Sequence, residues 1–76
     1  MKYYLTSLEG NSDNALDIWR EVNATQVVFI KRVTGRHIQR ATPEGPPGQM
    51  DVIKNWIKYE SNNLDDVIAH AAIMIL

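Results

Sequence analysis

Hydrophobic and polar residues follow different periods in successive stretches of this chain. Residues 2–8 alternate: Tyr3, Leu5 and Ser7 fall on one side, Tyr4, Thr6 and Leu8 on the other. An aromatic on each side predicts a strand inside a sheet rather than at its edge. Glu9-Gly10-Asn11-Ser12 reads as a turn. Beyond it, Ala15, Ile18, Trp19 and Val22 recur at i, i+3, i+4 and i+7, with Asp17, Arg20 and Glu21 opposite. That spacing predicts an amphipathic helix, opened by Ser12 as N-cap and ending near Asn23.

The next stretch, residues 27–42, predicts a β-hairpin. Val27-Val28-Phe29-Ile30 is apolar, Lys31-Arg32 is basic, and the chain bends near Thr34-Gly35 before Arg36-His37-Ile38-Gln39-Arg40. β-Branched and aromatic residues around a glycine turn are a strand-pair signal. The register stays open: a Thr34-Gly35 loop pairs Lys31 with Ile38, a Gly35-Arg36 loop pairs Val33 with Ile38, and a bulge at Gly35 is a third option. Residues 42–49, with three prolines and two glycines, read as a stiff linker.

Met50, Ile53, Trp56 and Ile57, with Val52 beside them, form the apolar side of a second predicted helix over residues 49–59. Ser61-Asn62-Asn63 breaks it. Asn63 then caps a third helix, with Asp65 and Asp66 in its first turn and Leu64, Val67, Ile68, Ala71, Ala72 and Ile75 at helical spacing. The pattern amounts to an α+β fold: a small, mostly antiparallel sheet in the order β-α-β-β-α-α, with helices packed on one face. If residues 72–76 form a strand, the order becomes the ferredoxin-like β-α-β-β-α-β.

Composition narrows the function classes. Seventy-six residues make one domain, residues 1–76. No cysteine is present, so disulfides, thiolate metal sites and cysteine nucleophiles are excluded together. Small domains without such staples often gain stability by self-association, so a homodimer is carried as an expectation. The N-terminus lacks the apolar core of a secretory signal, and the apolar run at residues 69–76 is too short to span a bilayer. A soluble cytoplasmic protein with no membrane partner is expected.

The net charge of −1 conceals an asymmetry: residues 31–40 carry four of the eight Lys and Arg residues and no acid. Lys31, Arg32, Arg36, His37 and Arg40 are therefore the candidate partner-binding residues. Three readings compete: a solvated edge that blocks edge-to-edge pairing, a docking site for acidic protein surface, and phosphate contacts in a nucleic acid. The lack of an aromatic at the hairpin tip weighs against single-strand binding. Ile73, Met74 and Leu76 extend beyond a simple helical stripe and are a candidate interface, although core burial is the simpler reading.

Chemical machinery is sparse. His37 and His70 are the only histidines. Asp66 stands at i−4 from His70 and could orient its ring, but one His and one Asp are not a metal site. Asp65-Asp66 suit a helix N-terminus better than a general acid/base pair. The four glycines form neither a dinucleotide nor a phosphate loop. The closing helices do not make a helix-turn-helix, since the second is acidic and then apolar. The expectation is a non-enzymatic protein-interaction module, an inhibitor or regulator without cofactor or metal, docking through the basic hairpin. A nucleic-acid binder using the same hairpin is the alternative.

Overall fold

The computed structural model describes residues 1–7, 15–34, 37–38 and 48–75. The architecture is α+β and built on an antiparallel sheet. Its elements are β1 (Tyr3–Ser7), β2 (Ala15–Asn23), β3 (Gln26–Thr34), β4 (His37–Ile38), β5 (Gly48–Gln49), α1 (Met50–Ile53), β6 (Ile57–Ser61) and α2 (Leu64–Ile75). A 3-10 turn, Lys54–Trp56, joins α1 to β6. The strands lie in the order β4-β3-β2-β1-β6, and β5 pairs with β3.

β1 does lie inside the sheet, with β2 on one side and β6 on the other, both antiparallel. Its two residue sets meet two different cores. Leu5, with Leu16, Ile18 and Val33 from β2 and β3, packs against Val67 and Ala71 of α2. On the opposite face Tyr4 and Val27 pack against Ile53 of α1, with Trp19, Met50 and Ile57 at the margin. The two helices thus divide between the faces instead of sharing one.

The segment expected as the first helix is a strand. β2 pairs with β1 through Tyr4↔Trp19 and Leu5↔Ile18, so no crossover links β1 to the hairpin. The helical stripe misallocated three residues. Leu16, off the stripe, is fully buried; Asp17, assigned to solvent, is 5% exposed; Val22, assigned to the core, is 46% exposed. A strand covered on both faces has no period-2 contrast, so its apolar residues can mimic a helix.

β2 and β3 form a hairpin through residues 24–25, where the Asn23 side chain accepts from the Thr25 N–H at 2.9 Å and from its hydroxyl at 3.1 Å. Such local Asx bonding is why asparagine favours turns. The Met50 N–H donates to the Thr25 carbonyl at 2.8 Å, tying the start of α1 to this turn. Between Ile18↔Lys31 and Trp19↔Phe29 the register slips by one residue, making Ile30 the extra residue of a β-bulge.

Two further expectations change. The second helix stops at Ile53, and residues 57–61 run as a strand whose burial alternates residue by residue. The linker reading of residues 42–49 falls largely outside the described residues, but its last two, Gly48 and Gln49, form β5 on Val27 and Gln26. The third helix holds. The side-chain oxygen of Asn63 accepts from the N–H of Asp65 at 2.8 Å and of Asp66 at 3.4 Å, as an N-cap does. Because the segment is helical through Ile75, the ferredoxin-like order is not adopted. Among the described residues no helix is long and apolar enough to cross a membrane.

Candidate functional site

The basic hairpin is only partly described. β3 pairs with β4 through Val33↔Ile38 and Thr34↔His37, leaving Gly35 and Arg36 as the two connecting residues. This is the second of the registers open from sequence. Arg36, Arg40 and the side chain of His37 lie outside the described residues.

The two cations that are described differ. Lys31 is half-buried and stands opposite Ile18. Arg32 stands opposite Asp17, and the pair is bidentate: Nε donates to Oδ1 at 2.7 Å and Nη2 to Oδ2 at 3.4 Å. The Asp17 side chain is 8% exposed and that of Arg32 is 41% exposed. The hydrogen bond and charge of Asp17 raise the Arg32 pKa further above its ordinary value. Arg32 is therefore neutralised within the protein and also held in place. A guanidinium has five N–H donors, and its bonds to Asp17 use two of them.

Beside this pair, on the α1 face, lies a notch of about 140 Å³ lined by Thr6, Ser7, Asp17, Trp19, Val52, Ile53 and Trp56. Cross-strand pairing of Thr6 with Asp17 aligns β1 and β2 beneath it. The Trp19 indole N–H donates to the Thr6 hydroxyl at 2.9 Å, and its ring meets Phe29 edge-on at 5.6 Å between centroids. These contacts set the indole as a wall. Val52, 68% exposed, stands at the rim. A cavity of this size holds about one benzene-sized ring, so the notch suits a single side chain rather than a cofactor.

Residues of this site were missed from sequence because Asp17 and Trp19 were placed on a helix. Once residues 15–23 and 26–34 are paired as strands, an acid opposite an arginine is the signal that marks it. The other candidate surface separates. Ile73 is 68% exposed, Met74 is partly buried against the α2-side core, and Leu76 lies outside the described residues.

On the α2 face, Tyr59 stacks on His70 with centroids 3.9 Å apart and rings 4° from parallel. Its hydroxyl donates to Asp66 Oδ2 at 2.8 Å. The hydroxyls of Tyr59 and Ser61 hold the Asp66 carboxyl below the usual carboxylate range, and the bond to Asp66 raises the Tyr59 phenol. His70 is thus positioned chiefly by an aromatic neighbour. Among the described residues no group of three or more His, Asp or Glu side chains is placed to hold a metal ion.

The chain matches no family model, no curated protein and no solved structure.

Proposed function

We propose that this chain is a small non-enzymatic protein-interaction module, an inhibitor or regulator that docks on a larger protein through Arg32 of the basic hairpin and the notch beside it. The observation that carries this reading is that Asp17 serves both features: it lines the notch and holds Arg32 half-exposed at its side. Interfaces concentrate binding energy where an apolar anchor enters a pocket next to a positioned arginine. The complementary partner presents one apolar or aromatic side chain for the notch and a neighbouring carboxylate for Arg32. Its setting in this reading is the cytoplasm, in keeping with a chain free of cysteine.

A nucleic-acid partner is less well supported. Phosphate contacts along the hairpin would leave the notch, sized for one apolar or aromatic side chain, without a role.

The test is affinity capture from native extract with the wild-type chain, Val52→Glu and Arg32→Glu. Val52 is exposed, so a carboxylate there leaves the fold intact while closing the notch to an apolar anchor. One stoichiometric protein, lost with Val52→Glu and weakened with Arg32→Glu at a temperature where circular dichroism shows both variants folded, is the expected result. A protein captured equally by all three chains, or nucleic acid released by salt, overturns the proposal.

A further inference from the structure

We propose that the chain self-associates through the outer edge of β6, pairing with β6 of a second copy about a two-fold axis at Tyr59. β6 ends the strand order at the opposite edge from β4, so this surface is separate from the basic hairpin. Among the described residues no strand pairs with its outer side.

Three observations meet at this edge. The first is charge order. In antiparallel self-pairing centred on Tyr59, Ile57 faces Ser61 of the mate and Lys58 faces Glu60 of the mate. The same contacts recur by symmetry, giving two opposite-charge pairs. Lysine and a β-bulge usually protect an edge strand, and β6 has a register slip at Lys58. Protection by lysine depends on its meeting like charge or solvent, and the two-fold instead sets it against glutamate.

The second observation is an apolar residue on the same flank. Tyr59 reaches both Asp66 and His70, so the helix flank that includes these residues faces β6. Residues 66, 70 and 73 are spaced at i, i+4 and i+7, which places Ile73 on that flank. Ile73 is 68% exposed. The third is order within the edge itself: the Tyr59 ring is fixed by its stacking and its hydrogen bond, so it presents one shape to a mate. Backbone pairing along the strands, the two charge pairs and Ile73 of the adjoining helix flank then form one self-complementary surface.

The experiment is sedimentation equilibrium over a concentration series, with circular dichroism of each variant to check the fold. Glu60 also meets Lys2 at 3.0 Å, so every charge variant is compared in a Lys2→Ser background. The background protein is expected to dimerise. Lys58→Glu or Glu60→Lys converts both cross-strand pairs to like-charge pairs and should weaken association by roughly tenfold or more. The double exchange, Lys58→Glu with Glu60→Lys, recreates the complementarity and should restore it. Wild-type protein that stays monomeric throughout overturns the proposal. So does a dimer indifferent to the single reversals, or one that the double exchange fails to rescue.

Discussion

Arg32→Met tests how far the cross-strand ion pair supports the sheet. The substitution keeps an unbranched stem over β2 and removes the donors at 2.7 Å and 3.4 Å from the Asp17 carboxylate. Breaking a fully buried pair costs about 3–5 kcal/mol, whereas an exposed pair contributes about 0–1 kcal/mol. Asp17 is nearly dry, at 8% side-chain exposure, and Arg32 is half wet, at 41%. The loss should fall between the limits, at about 2 kcal/mol, lowering Tm by about 8–16 °C in a domain of this size. Asp17→Val should cost less, because the released guanidinium can turn to water and the stranded carboxylate cannot. With both residues replaced, stability should return to within about 1 kcal/mol of wild type, since no buried charge remains. Urea unfolding followed by tryptophan fluorescence measures all four corners of the cycle. An Arg32→Met loss below about 0.5 kcal/mol, or a double variant as unstable as the sum of the singles, refutes the reasoning.

Other perturbations probe separate parts of the fold. Thr6→Val keeps shape at a position 2% exposed but removes the acceptor for the Trp19 indole, costing about 1–3 kcal/mol in urea titrations and shifting tryptophan emission. Leu16→Ala at a fully buried site should cost about 2–5 kcal/mol; a much smaller loss would argue that residues 15–23 do not pair as β2. Asn63→Ala should cost about 1 kcal/mol through loss of the α2 cap, read in the same titration. The Tyr59–Asp66 bond predicts a two-sided pH profile. Ionised Asp66 is favoured in the folded state, so its contribution is present near neutrality and is lost as pH falls below about 4. Protonated Tyr59 is favoured too, so its contribution persists below about pH 10 and is lost above it. Tyr59→Phe should flatten both limbs of the denaturation midpoint against pH, and a profile superimposable on wild type would count against the bond.

The amino-acid sequence by itself determined the local elements whose signals are local. Alternation in residues 3–7, with an aromatic on each side, marked β1 as an interior strand. Asn63 followed by two aspartates and a helical stripe marked α2, because caps and i, i+4 spacing act within one turn. The apolar start of β3 was legible for the same reason. Tertiary structure alone decided the rest. Residues 15–23 became a strand because β1 and β3 flank them and separate cores cover their two faces, so long-range pairing overrode a helix-like stripe. Residues 57–61 carry strand alternation of their own, but its significance depended on β1 having a vacant edge to receive it. The notch and the Asp17–Arg32 pair depend on contacts between residues 15 positions apart and on α1 crossing above them. Side chains far apart in the chain become partners only after strand register is set, and register is a property of the assembled sheet.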